Sequence, residues 1–201
     1  MLGICLYARM KKGTELMRMR YFLSFLFMAV TFLGWQGYSL EEAQKVLDII
    51  DRIQREQLVK GADDIRSVVV TEKEFNAYVA HRIRVEKEEV LKELRFKILD
   101  DNRIELMALV DLRGEELPKL LKPEMVFYLG GTVETQDGGV RLKLKDLFLG
   151  DQRIQPMVLD LVIFIASRIQ NTEPSGIEDW YELPYGIKDI KTRVGRATFY
   201  Y

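Results

Sequence analysis

The sequence predicts an α+β domain: a curled antiparallel sheet wrapped around a long apolar helix, with additional helices on the N-terminal side. Three observations carry this. Met157 to Ile169 has helical length, and its only polar residues are Asp160, Ser167 and Arg168. A helix apolar nearly all round must be enclosed by protein, lipid or a bound apolar molecule. Leaving about ten such side chains in water costs on the order of 15–30 kcal/mol as an upper bound. Four segments between Leu94 and Leu149 alternate apolar with polar residues and are separated by turn residues, the pattern of a meander. Finally, two helix-start signals, at Ser39 and Thr71, precede the strands.

The first 39 residues are set apart from the fold. Met19-Arg20 is charged, Tyr21 to Trp35 is an apolar run rich in Phe and Leu, and the small residues Gly37 and Ser39 follow. That is the three-part pattern of a secretory signal peptide. The run is short for a spanning helix, which needs about 20 apolar residues. A cleaved signal is therefore the first reading and an uncleaved inner-membrane anchor the second. Residues before Met17 or Met19 read as an upstream start and hold Cys5, the only cysteine. The expected location is periplasmic or secreted.

Residues 40–201 then form one α+β domain, with 40–64 as an extra N-terminal helix. Without cysteine it is held by its core and not by disulfides, even in an oxidising compartment. The five Lys and Arg and the one Glu before Leu40 leave 25 basic and 30 acidic residues in it, a net −5. That balance argues against a nucleic-acid partner, which selects a basic stripe, and against tight binding to an anionic membrane surface.

In order along the chain, Ser39 and Glu42 have capping-box spacing, and Leu40, Ala43, Val46, Leu47, Ile50 and Ile53 share a helix face that fades near Gly61. Ile65 to Val70 is β-branched and predicts a short strand. Thr71-Glu-Lys-Glu74 is a second capping box, with Val70 and Phe75 placed for a hydrophobic staple. Phe75, Tyr78, Val79 and Ile83 are expected on its inner face. Leu94, Phe96 and Ile98 alternate, Asp100 to Arg103 turns, and Ile104 to Leu112 alternates again. Phe127, Leu129 and Val133 lead to the hairpin signal Asp137-Gly138-Gly139. Val140, Leu142 and Leu144 return, but Leu147 and Leu149 are out of phase with them, which predicts a bulge at Asp146. Gly130-Gly131 opposite permits the bend. Pro156 suits a first helical residue. Leu183 to Gly186 predicts a turn, and the segments around Val194-Gly195 a closing hairpin.

Chemistry is sparse. His81 is the only histidine and lacks neighbours at ligand spacing, so no metal site or cofactor is expected. Asp63-Asp64 and Asp100-Asp101 read as turn and capping residues, not as a glycosidase pair. The glycine pairs do not precede helices and cradle no phosphate. Arg141, Lys143 and Lys145 form a basic ridge, read either as contact with lipid headgroups or as a solvated face paired with Glu134. Trp180 and Tyr181 mark either an interface or pocket rim, or ordinary packing at a strand end. No enzymatic activity is expected. What remains is either an ordinary core or a groove between sheet and helix, lined by Leu106, Ala108, Phe127, Leu129, Leu142, Leu144, Val158, Val162 and Ile165. Such a groove takes an acyl chain through apolar burial alone, at about 0.8 kcal/mol per CH₂.

Thr71-Glu-Lys-Glu-Phe-Asn76, the hairpin ending Lys145-Asp-Leu-Phe-Leu149, the apolar helix after it and Gly186-Ile-Lys…Val194-Gly-Arg-Ala-Thr-Phe199 follow the order found in YceB-like bacterial envelope proteins. The chain resembles that family from about Val68 to Tyr201, and the family is similar to the tubular lipid-binding (TULIP) superfamily. The resemblance implies a long helix cradled by a rolled sheet, with a lipid or other apolar ligand between them and no catalytic residues. This chain departs from it in lacking a lipidation cysteine and in its extra helix from Leu40 to Lys60. The alternative expectation is a structural or assembly protein of the envelope with a membrane-associated protein partner.

Overall fold

The computed structural model describes residues 38–60, 65–114, 117–119 and 121–201. The signal-like segment up to residue 37 and Asp63-Asp64 lie outside the described residues. The domain is α+β, with three α-helices among the described residues and a strongly curled, half-barrel antiparallel sheet.

The extra helix α1 (Leu40–Lys60) buries Ala43, Val46 and Ile53. Strand β1 (Ser67–Thr71) begins two residues later than the sequence suggests, leaving Ile65 exposed. At helix α2 (Glu72–Val85) both arms of the capping box form. Thr71 Oγ1 accepts from the Glu74 amide at 3.3 Å, and Glu74 Oε2 accepts from the Thr71 amide at 2.8 Å.

Strands β2 (Leu91–Ile98), β3 (Arg103–Asp111), β4 (Glu124–Gln136) and β5 (Gly139–Leu149) form the meander. The Asp101-Asn102 and Asp137-Gly138 turns both adopt positive φ at their two central residues. This matches the right-handed twist of a hairpin. Short β6 (Gln152–Arg153) and β7 (Tyr181–Glu182) pair with the two ends of β5. Helix α3 (Pro156–Gln170) starts with proline in its first turn and ends on Asn171 in the left-handed conformation.

The closing hairpin, β8 (Asp189–Arg193) and β9 (Arg196–Tyr200), does not extend the meander. It joins β1 in a separate three-stranded sheet ordered β1-β9-β8. The chain thus forms two sheets where alternation alone suggests a single continuous meander, because alternation carries no information about which strand a distant hairpin meets. Each sheet has its own core. One contains Leu106, Val110, Met125, Phe127, Leu129, Leu147, Leu159 and Val162. The other contains Ile53, Val68, Leu183, Ile187 and Tyr201. Glu56 ties α1 to the second core: its carboxylate pairs with Arg66 at 2.6 Å and accepts from Tyr201 Oη at 3.1 Å.

Helix α2 bridges the two sheets, and its burial differs from expectation. Its most enclosed residues are Asn76 and Ala77, while Phe75, Tyr78, Val79 and Ile83 are half-buried. The reason is the outer edge of β2. Asn76 Nδ2 donates to the Phe96 carbonyl and Asn76 Oδ1 accepts from the Phe96 amide, both at 2.7 Å. Glu72 Oε2 accepts from the Ile98 amide at 2.7 Å, and the Gly195 amide donates to the Ile98 carbonyl at 2.9 Å. Side chains of a helix therefore do for this edge what another strand would do. The Phe75 ring packs edge-on against Phe96, 5.0 Å between centroids, beside this contact.

Asn76→Ala should cost about 2–4 kcal/mol in urea denaturation, since it strips partners from two enclosed backbone groups. A loss below about 0.5 kcal/mol, the range of ordinary surface substitutions, would show that the edge closes without it.

Candidate functional site

The apolar face of the half-barrel is built from three cross-strand rows. Leu94, Ala108, Phe127 and Leu149 stand opposite one another in turn, as do Phe96, Leu106, Leu129 and Leu147. The third row is Ile98, Ile104, Gly131 and Leu144. Directly opposed residues share a face, so the rows form one surface. Leu144 and Leu147 are an odd number of residues apart and would fall on opposite faces of a regular strand. The β4–β5 register slips between Gly130, opposite Asp146, and Gly131, opposite Leu144, leaving Lys145 as the extra residue. The bulge expected at Asp146 is present one residue earlier, at Lys145, and it returns Leu147 and Leu149 to the core face.

The two glycines opposite the bulge are not equivalent. A Cβ on Gly131 would lie 2.6 Å from the Lys143 carbonyl oxygen and 2.7 Å from Leu142 Cδ1. A Cβ on Gly130 would meet the Asp146 Cβ at an ordinary 3.6 Å. Gly131 therefore permits the close approach of the strands at the bend, and the side chain of Leu142 occupies the space.

Helix α3 packs on this face through Leu159 and Val162, with Val158, Leu161, Ile163, Ile165, Ala166 and Ile169 partly buried against it. All nine residues named from the sequence meet in this one cluster. Leu106, Phe127, Leu129 and Val162 are buried, and Ala108, Leu142, Leu144, Val158 and Ile165 are partly buried. No described residue of α1 belongs to it; the extra helix contributes to the second core instead.

The helix is not enclosed all round. Met157 is 79% exposed and Phe164 45% exposed, on the side that also carries Asp160 and Arg168. Asp160 anchors the loop that follows the helix, where its Oδ1 accepts from the Ile177 amide at 3.2 Å. The same loop places Glu178 Oε1 3.0 Å from the Leu144 amide. The 171–180 segment thus ties α3 to the outer edge of β5, where neither β6 nor β7 pairs.

On the basic ridge, Arg141 and Lys143 both pair with Glu134, at 2.6 and 3.5 Å. The Arg141 hydrogen bond holds the Glu134 carboxyl below its ordinary range. This is the solvated, cross-hairpin arrangement. The His81 ring stands edge-on to Tyr38, with 6.2 Å between centroids. Asp100 serves a turn: its Oδ1 accepts from the Val194 amide at 3.3 Å. Among the described residues no group of three His, Cys, Asp or Glu side chains is placed to hold a metal ion. Nor is any of their helices long and apolar enough to cross a membrane.

Among the open clefts on the described surface are two that none of the nine residues lines. One, of about 970 Å³, is polar and lies between the 100–102 turn, the distal part of β4 and β8. The other, of about 900 Å³, lies beside the 3₁₀ turn Pro184–Gly186. The polar cleft is not visible to sequence reasoning, because its walls come from five separated segments; Trp180 is its one local signal, and an aromatic residue before a turn has several readings. Comparison with known proteins finds no family model, no curated protein and no solved structure that matches the chain.

Gly131→Ala should destabilise the domain by about 1–3 kcal/mol, the usual cost of overpacking, whereas Gly130→Ala should stay within about 0.5 kcal/mol. Chemical denaturation of the two variants side by side checks this. Equal effects would contradict the assigned contact.

Proposed function

We propose that this is an exported envelope protein that binds a lipid or other apolar ligand in a groove between the half-barrel sheet and α3, without catalysis. The observation that carries the reading is the incomplete enclosure of the seam between sheet and α3, where five of the nine groove residues are only partly buried. One side seats Leu159 and Val162 in the sheet's core, while the other presents Met157 and Phe164 to solvent. An acyl chain lying between sheet and helix would complete the burial of that seam, at about 0.8 kcal/mol per CH₂. In this reading the long apolar helix is wrapped by sheet and ligand together. The partly buried Ala108, Leu142, Leu144, Val158 and Ile165 are the side chains that part to admit it. The order of elements shared with YceB-like envelope proteins and their likeness to TULIP proteins favour the same ligand class. So does the run from Tyr21 to Trp35, which has the pattern of an export signal. The apolar face of Met157 and Phe164 also suits a membrane-associated protein partner, which is the second reading.

Native mass spectrometry of the purified protein, with solvent extraction and lipid analysis, tests the proposal. The expected result is co-purified lipid at up to one chain or molecule per protein and saturable uptake of a fluorescent fatty acid. Consistently empty protein that takes up no fatty acid contradicts it. A stoichiometric protein partner crosslinked in cells through position 157 or 164 would favour the second reading instead.

A further inference from the structure

The polar cleft has a chemistry of its own, unrelated to the apolar helix. Its volume of about 970 Å³ matches the upper end of small-molecule sites, about 300–1,000 Å³. Three carboxylates line it, those of Asp100, Asp101 and Glu134, against three cations, Arg141, Lys191 and Arg193. A lining so balanced concentrates neither anions nor cations. The apolar lining is confined to Val133 and Trp180, too little to hold a lipid tail. A neutral ligand rich in hydroxyls satisfies both kinds of group, donating to the carboxylates and accepting from the cations.

The aromatic group is held ready. The Arg141 guanidinium carbon lies 4.7 Å from the Trp180 ring centroid, a cation–π contact that fixes the ring plane. Arg141 is itself anchored by Glu134. A Cβ at position 139 would come within 3.3 Å of the indole Cε3, so glycine there lets the ring approach β5 closely. Trp180 nevertheless remains 44% exposed. The floor is fixed too: Asn102 Oδ1 accepts from the Thr192 amide at 2.8 Å, and Thr192 Oγ1 donates to the Leu99 carbonyl at 2.6 Å. Asp101 and Arg193, by contrast, have no side-chain partner among the described residues. Preset groups on rigid turns, together with free polar ends and an exposed indole, make a site.

We propose that this cleft binds a neutral oligosaccharide, with Trp180 packed against the apolar face of a sugar ring and Asp101 and Arg193 hydrogen-bonding to its hydroxyls. The site is independent of the lipid proposal, and either can fail alone.

The test uses the full chain carrying Trp35→Phe, which leaves Trp180 as the only indole. Its emission is titrated with chitotriose, cellotriose, maltotriose and, separately, inorganic phosphate. A saturable change with at least one trisaccharide below about 10 mM, and none with phosphate, is expected. Asp101→Asn, which tolerates the left-handed backbone at that turn, should weaken binding at least about tenfold. Trp180→Ala should abolish the heat of binding in calorimetry. Saturation by phosphate alone, or no response to any of the three sugars from protein with unchanged circular dichroism, overturns the proposal. So does sugar binding that survives Trp180→Ala.

Discussion

The outer edge of β2 is the point on which this architecture turns. A half-barrel that does not close has two open edges, each a row of backbone donors and acceptors. Here the β2 edge is closed by one helix: the Asn76 amide pairs with both backbone groups of Phe96, and Glu72 takes the next amide, that of Ile98. The capping box at Thr71 fixes where α2 begins and so places Glu72 and Asn76, four residues apart, on the same side of the first turn and a half. Because Gly195 donates to the Ile98 carbonyl and accepts from the Glu72 amide, the same contact draws in the β8–β9 turn. Two sheets that share no strand are thereby joined through one short stretch of helix, and again directly where Leu99, Asp100 and Asn102 meet Thr192 and Val194.

The opposite edge obeys the same logic with different parts. Strand β5 is paired at its ends by two-residue strands, and between them Glu178 takes the Leu144 amide. Asp160, the one acid in α3, holds the loop that carries Glu178. Curl between the edges comes from the bulge at Lys145 and the absence of a side chain at Gly131. The result is a sheet bent enough to receive α3 on one face, yet not closed around it. That incompleteness leaves five of the nine groove residues only partly buried and motivates the proposed ligand.

Features determined by near neighbours were legible in the sequence. The Thr71 cap, the proline start of α3, both positive-φ turns and the bulge, within one residue, each follow from a few adjacent residues. The six strand residues of the groove converge because period-two alternation and the bulge together fix which face each one occupies, and Val158, Val162 and Ile165 join them through three- and four-residue helical spacing. Long-range choices were not legible. Nothing in Asn76 announces that its amide pairs with a strand twenty residues on, since an asparagine in a helix ordinarily reads as a surface residue. Alternation at Ile190 and Ala197 does not reveal a separate sheet with β1. The polar cleft needed segments around 101, 134, 180 and 193 to meet, and no local pattern encodes that meeting.

The most direct measurement of the central claim is native-state hydrogen exchange of the β2 amides. If α2 closes the edge, the Phe96 and Ile98 amides, donated to Asn76 and Glu72, exchange only through global unfolding, as slowly as Leu106 and Leu129 in the interior strands. Exchange of Phe96 and Ile98 at the rate of an open strand edge, with β3 and β4 still protected, would contradict it.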